Sequence, residues 1–111
     1  MLPETKKYLQ DIIVSAESIK TYTKGITKYE EFIKSKMVYR AVERELEIIA
    51  EAITRIKRID NTINMTYSKN IIGLRNRVIH SYDNINEDII WGVVVNHIDK
   101  LKSEVENLLG K

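Results

Sequence analysis

The chain has 111 residues and a formal net charge of +2, from 18 lysines and arginines against 16 aspartates and glutamates. That length suits one domain with a single core, and so small an excess of base does not by itself indicate a nucleic-acid-binding protein. With no cysteine and only two histidines, the sequence excludes a disulfide framework and a thiolate metal site, and we expect no metal centre. We also expect a soluble, unprocessed cytoplasmic protein, because no apolar run approaches the roughly 20 residues that span a bilayer.

Residues that break helices are rare in this sequence. The chain holds four glycines and a single proline, Pro3, which is compatible with the first turn of a helix. A β protein would need turn signals every dozen residues or so, and these are absent. The composition therefore favours an all-α fold.

The first predicted element is an amphipathic helix over residues 3–23. Its apolar side chains recur at steps of three and four residues, at Leu9, Ile12, Ile13, Ala16 and Ile19. Gly25 follows as a C-terminal stop. Thr27 stands three residues before Glu30 in the form of a capping box, which predicts a short helix over residues 27–33.

The longest predicted helix covers residues 36–59. Its apolar positions run without a breaker: Val38, Ala41, Val42, Leu46, Ile48, Ile49, Ala52, Ile53, Ile56 and Ile59. So broad a stripe must be covered on more than one side, as in the middle of a bundle or at a subunit interface. Arg55, Lys57 and Arg58 crowd the last turn, where complementing the helix dipole is the favoured role and an RNA patch is the alternative.

The second half of the chain is predicted to contain a loop over residues 60–69, a helix over residues 70–81 and one final helix. Asn86 is expected to cap that last helix, with Ile85 packed against Ile90. Its apolar row extends towards Gly110 through Ile90, Val94, Ile98, Leu101, Val105 and Leu108. The elements together predict an antiparallel bundle of four main helices with a short extra one.

The run RNRVIHSYD concentrates polar chemistry in an otherwise aliphatic chain. On a helix, Asn76 and His80 lie four residues apart on one face, and Arg75 is rotated by about 140° from His80 but is long enough to reach it. Arg77 is also within reach, so spacing alone leaves open which arginine matters. Tyr82 falls just beyond the predicted helix end, where its hydroxyl should be exposed.

These residue types suit cleavage of an RNA phosphodiester by the neighbouring 2′-hydroxyl, a reaction that needs a proton acceptor, a proton donor and a cation, but no metal. Histidine can serve as acid or base near neutrality, and arginine offers a forked donor set to phosphate oxygens. Asn76 can fix the imidazole tautomer. The alternative is that Arg75 and His80 only bond the last carbonyls of their helix. Acid and base together need two groups, which a two-fold dimer with facing clusters would supply.

The chain resembles the HepT-like ribonucleases, the HEPN-domain toxins of toxin–antitoxin systems whose antitoxin is a minimal nucleotidyltransferase. The resemblance rests on the order and spacing of the blocks YLQDI (8–12), YEEFI (29–33), LEIIAEA (46–52), IIGLRNRVIHSYD (71–83) and DIIW (88–91). The family's signature is Arg, four residues, His, one residue, Tyr, and it falls on Arg75, His80 and Tyr82. Asn76 matches the polar residue that usually follows the arginine.

The resemblance implies a single HEPN-like domain over residues 1–111, built as an all-α antiparallel four-to-five-helix bundle. It further implies a symmetric homodimer with an interface cleft, and metal-independent endoribonuclease activity on RNA carried by Arg75 and His80. It also implies a cognate nucleotidyltransferase antitoxin that can transfer AMP onto Tyr82, placing negative charge where substrate phosphate binds. The alternative is a non-catalytic helical module that binds nucleotide or that partner.

Other polar residues allow two interpretations each. Glu51 belongs to a row with Glu43 and Glu47 that either forms a solvated face paired with neighbouring arginines or lets Glu51 hold Arg75 or Arg77 in position. His97 is expected to be structural or exposed. Four tyrosines are expected to be packing residues, with base stacking as the alternative: Tyr8, Tyr22, Tyr29 and Tyr39. Five lysines are expected to form a solvated face, with an RNA-guiding surface as the alternative: Lys20, Lys24, Lys28, Lys34 and Lys36.

Overall fold

The computed structural model describes residues 1–66, residue 71 and residues 87–110. Within these ranges it contains no strand and five α-helices: α1 (Pro3–Tyr22), α2 (Tyr29–Lys34), α3 (Lys36–Ile59), α4 (Glu87–Asn96) and α5 (Ile98–Leu108). The all-α prediction is therefore confirmed. Among the helices so described, none is both long and apolar enough to cross a bilayer.

Helix α1 forms as its sequence predicts. Pro3 occupies the first turn, where its missing N–H costs no hydrogen bond. The predicted apolar stripe is buried without exception, at Leu9, Ile12, Ile13, Ala16 and Ile19. Helix α1 ends at Tyr22, and Gly25 then takes a left-handed φ of 83°, a conformation that glycine adopts without steric cost.

Helix α3 runs antiparallel to α1 and is its main packing partner. Near the end of α1, the Tyr22 hydroxyl donates to Glu45 Oε2 at 3.0 Å. Near the start of α1, the Tyr8 ring centroid lies 5.9 Å from the guanidinium of Arg55, late in α3. The two helices therefore run in opposite directions.

Helix α5 is the second antiparallel partner of α1. Lys20 pairs with Asp99 at 3.0 Å, and Glu17, one turn earlier in α1, pairs with Lys102 at 3.6 Å one turn later in α5. Lys20, Asp99 and Glu17 are exposed and Lys102 is partly buried, so each pair contributes at most about 1 kcal/mol. The pairs therefore fix the orientation of the helices more than their stability. The antiparallel bundle prediction holds for both partners of α1.

Helix α3 supplies the largest share of the core and begins and ends where the sequence predicts. Ser35 Oγ accepts from the Val38 N–H at 3.3 Å and caps its first turn. Its buried side chains are Val42, Leu46, Ile49, Ala50, Ala52, Ile53 and Ile56. Because α1, α2 and α4 all pack on α3, its broad stripe is covered on several sides, as expected. Each large aliphatic side chain buried here contributes about 1.5–3 kcal/mol.

The capping box predicted for the short helix is wrong. Helix α2 begins at Tyr29, with Lys28 rather than Thr27 at its N-cap and no side-chain cap. The Thr27 hydroxyl instead reaches Glu31 Oε1 at 3.4 Å, and Glu30 lies in the first turn. The start of this helix is therefore not set by a side-chain cap at Thr27.

The packing that holds α2 is centred on Phe32. Its side chain is fully buried, with its ring centroid 5.0 Å from that of Trp91 in α4 and 6.4 Å from that of Tyr39 in α3. Tilted aromatic pairs at such distances add about 0.5–1.5 kcal/mol beyond their burial. A six-residue helix with little intrinsic stability is thereby fixed to both of its neighbours.

The prediction of one continuous final helix is also wrong, because the chain breaks between α4 and α5 at His97 (φ −122°, ψ −27°). Val93 and Ile98, on either side of the break, are both buried, and Val94, a predicted core position, is only partly buried. The proposed cap Asn86 and its neighbour Ile85 lie outside the described residues.

The loop predicted to begin at residue 60 is present as far as it is described, to residue 66. Asp60 accepts from both the backbone N–H and the hydroxyl of Thr62. Met65 is buried, and the Thr66 N–H donates to Glu104 Oε2 of α5 at 2.9 Å. The loop is thus tied to α5 shortly before the segment that carries the signature.

Candidate functional site

The predicted site residues divide between described and undescribed parts of the chain. Arg75, Asn76, Arg77, His80 and Tyr82 all lie outside the described residues. Their mutual geometry therefore stays a prediction.

Two described residues flank the signature segment. Ile71, four residues before Arg75, is helical, 1% exposed and part of the hydrophobic core. Glu87, five residues after Tyr82, begins α4, and Ile90 on the next turn is fully buried. The described core therefore reaches close to the signature in sequence on both sides.

The one predicted site residue within the described chain is Glu51 on α3. Its Oε1 accepts from Arg55 Nε at 3.0 Å, with both side chains about half exposed. Glu47, one turn earlier, pairs with Arg44 at 3.6 Å. The expected pairing with neighbouring arginines is confirmed for Glu47 and Glu51, and contact between Glu51 and either signature arginine stays a prediction.

Glu43, the first member of that row, departs from the solvated-face interpretation. Its Oε2 is inaccessible to solvent and accepts no hydrogen bond within the described part of the chain. Burial raises the pKa of this carboxyl, Arg40 opposes the rise, and the negative charges of Glu47 and Glu87 add to it. The row is therefore polar but not uniformly exposed.

Glu51 lies on a surface groove between α1 and α3, which we call the α1–α3 groove. The groove has a volume of about 390 Å³ and is lined by Tyr8, Asp11, Arg44, Glu47, Ile48, Glu51, Ala52 and Arg55. Sequence reasoning did not identify it as a site. The sequence does show charged residues at steps of three and four on each helix. Which faces of α1 and α3 meet to form the groove depends on tertiary packing.

Tyr8 lies among charged side chains at the groove. The Arg55 guanidinium lies 5.9 Å from the Tyr8 ring centroid and Lys7 Nζ lies 5.1 Å from it. Its proximity to Tyr8 and its hydrogen bond to Glu51 raise the pKa of Arg55. Lys7 also pairs with Asp11 at 3.3 Å. The groove thus places hydrogen-bond donors, acceptors and an aromatic ring within one concave surface.

The other expectations for polar residues have mixed outcomes. Tyr8 and Tyr39 pack against the core, as predicted. Tyr22 is 37% exposed and bonds Glu45, so it orients helices more than it fills the core. His97 is partly buried at the break between α4 and α5, which fits the structural role expected of it. In the described ranges, no group of three or more His, Cys, Asp or Glu side chains could hold a metal ion.

Comparison with known proteins finds relatives along nearly the whole chain. "Putative RNase MJ1380" of Methanocaldococcus jannaschii is 39% identical over 107 residues, covering 93% of this chain and 94% of that protein. "Putative RNase TTE0752" of Caldanaerobacter subterraneus subsp. tengcongensis is 34% identical over 107 residues, covering 96% and 95%. "Probable ribonuclease HepT" of Thermococcus cleftensis is 34% identical over 107 residues, covering 93% and 94%.

No solved structure matches the chain. The model of the family described as "Ribonuclease HepT-like" matches residues 12–108, a span that contains the whole RNRVIHSYD run. Relatives that align end to end at more than 30% identity agree with that match. The chain belongs to the family of HepT-like ribonucleases.

Proposed function

We propose that the protein is a metal-independent endoribonuclease that acts as the toxin of a HEPN and minimal-nucleotidyltransferase toxin–antitoxin system. One observation carries this proposal: the family match covers residues 12–108, and the spacing of Arg75, His80 and Tyr82 within it agrees with the family signature. The relatives' names support ribonuclease as the class of activity.

The proposed reaction uses the substrate's own 2′-hydroxyl as the nucleophile. A base removes its proton as the 2′-oxygen attacks phosphorus, and an acid protonates the 5′-oxygen as the P–O5′ bond breaks. The products are a 2′,3′-cyclic phosphate and a 5′-hydroxyl. His80 is the acid–base group, Arg75 neutralises the phosphate, and Asn76 and Arg77 support them.

The proposal includes a symmetric homodimer. One copy supplies one signature histidine, whereas the reaction transfers two protons, and a two-fold axis would bring two signatures to one cleft. Glu51 is proposed to support an arginine of the signature from α3. That role is compatible with its bond to Arg55, because a carboxylate has two oxygens and several lone pairs.

Regulation is proposed to act through Tyr82. A nucleotidyltransferase antitoxin would transfer AMP from ATP to the tyrosine hydroxyl, forming a phosphodiester and releasing pyrophosphate. The added negative charge would repel substrate phosphate from the cleft. Incubation with the antitoxin and ATP should add the mass of one AMP to the wild type and none to Tyr82→Phe, and modification of both proteins would contradict this assignment.

The activity is tested by incubating purified protein with RNA in the presence of a chelator. Wild type should cut, and Arg75→Ala and His80→Ala should each lose at least about 100-fold in rate, the usual contribution of such groups. Circular dichroism should show unchanged helix content in both variants. Tight binding of nucleotide or antitoxin without cleavage of any RNA would instead favour the non-catalytic helical module.

A further inference from the structure

We propose that the α1–α3 groove is a nucleobase subsite that selects guanine in the RNA substrate. This inference rests on the proposed ribonuclease function for its substrate, and on the geometry of the groove for its specificity. The volume of about 390 Å³ falls within the range of roughly 300–1,000 Å³ that is usual for small-ligand sites. Ile48 and Ala52 give it an apolar wall, with charged groups around them.

The charges in the groove favour a base over a phosphate. Arg44 and Arg55 already pair with Glu47 and Glu51 on the same helix. Asp11 adds a third carboxylate to the lining. A phosphate carries acceptors only, so it would compete with these carboxylates for both arginines. A neutral ligand that carries both donors and acceptors can instead donate to a carboxylate and accept from its paired arginine at the same time.

Guanine is the base that fits a glutamate paired with an arginine. Its N1–H and N2–H₂ form two adjacent donors for one carboxylate, and its O6 and N7 form two adjacent acceptors for one arginine fork. Adenine, cytosine and uracil lack this combination. We assign the two roles to Glu47 and Arg44. Their atoms are 3.6 Å apart, longer than a well-formed hydrogen bond, so a ligand can engage them without breaking a strong contact.

Tyr8 lines one side of the groove, where its ring is partly buried and packs against the core. Lys7 Nζ and the Arg55 guanidinium lie over this ring, 5.1 Å and 5.9 Å from its centroid, so these cations, and not a base, occupy the space over it. The preference for guanine is therefore assigned to Glu47 with Arg44, and the apolar contact to Ile48 and Ala52.

The binding test titrates full-length protein with GMP, AMP, CMP and UMP and follows chemical shifts by NMR. GMP should bind at least about fivefold more tightly than the other three, the lower range for one good bidentate contact. Glu47→Gln should abolish that preference, since an amide offers one acceptor where two are needed. Arg44→Lys, which keeps the charge but loses the fork, should weaken GMP selectively. The matched control Glu106→Gln, on α5, should change nothing.

A second arm maps cleavage sites in a random RNA pool. Wild type should show guanine enriched at a fixed offset from the cut, and Glu47→Gln should still cut with that enrichment lost. Equal affinity for the four nucleotides, or a guanine preference that survives Glu47→Gln, would overturn the inference. Cleavage without guanine preference contradicts this subsite alone, whereas selective GMP binding without cleavage upholds the subsite and contradicts the ribonuclease proposal.

Discussion

At the scale of single residues, burial of Glu43 has a measurable consequence. A carboxyl whose pKa is raised in the folded state destabilises the fold when it is ionised, and this cost disappears as pH falls through the raised pKa. Glu43→Gln should therefore raise the melting temperature at pH 7. The gain should vanish below the unfolded pKa of about 4.3, where glutamate is protonated in both states.

The control for this pH dependence is Glu106→Gln, which removes a partly exposed carboxylate 3.9 Å from Lys102. It should change the melting temperature little at either pH. A lower melting temperature for Glu43→Gln at pH 7 would mean that Glu43 stabilises the fold as an ion. The sequence could not predict the raised pKa of Glu43, because both the burial of its carboxyl and the nearby charge of Glu87, 44 positions away in α4, depend on tertiary packing.

At the scale of elements, Phe32 should decide whether α2 stays docked. Phe32→Ala removes the only fully buried side chain described in α2 and should lower the free energy of unfolding by about 3–5 kcal/mol. Urea unfolding followed by Trp91 fluorescence measures it, since the two rings are neighbours. Ile33→Ala, at a side chain 39% exposed, should cost well under half as much, and equal costs would contradict this assignment.

The contact between the loop and α5 gives a second element-scale prediction. Glu104→Ala removes the acceptor for the exposed Thr66 N–H and should cost about 0.5–1.5 kcal/mol, with faster amide exchange in residues 60–66. Glu104→Gln retains a carbonyl oxygen and should recover much of the protection. Unchanged exchange in the alanine variant would show that Met65, and not Glu104, holds this loop.

Element boundaries show what the sequence could and could not predict. Residues 36–59 were predictable because one uninterrupted apolar stripe with Ser35 before it leaves few alternatives. The break at His97 was not predictable, because the apolar row continues through Val94, Ile98 and Leu101 with no glycine or proline at that point. The start of α2 was missed because Thr27 and Glu30 have the spacing of a capping box, whereas the Thr27 hydroxyl contacts Glu31 instead.

At the scale of the whole molecule, the helical bundle follows from the periodicity of apolar residues and the scarcity of helix-breaking residues. The α1–α3 groove follows instead from how α1 packs against α3. Each wall of the α1–α3 groove could be recognised from one helix, but the antiparallel register that joins Tyr8 to Arg55 could not. The family, by contrast, was predictable from ordered blocks along the chain, and the match over residues 12–108 confirms it.

The proposed homodimer has its own test. With a chain mass of 13.0 kDa, light scattering after gel filtration should give twice that value, 26.0 kDa. A monomer that cleaves RNA at full rate would contradict the shared cleft. A dimer that persists in His80→Ala would show that the histidine acts in chemistry and not in assembly.

His80 is proposed to carry the ribonuclease chemistry, and the chain provides a matched control in its only other histidine, His97. The most direct measurement is the rate of RNA cleavage in the presence of a chelator by wild type, His80→Ala and His97→Ala at equal helix content. We expect cleavage by wild type and His97→Ala at similar rates, and a loss of at least about 100-fold in His80→Ala. Equal rates in all three proteins would contradict the claim.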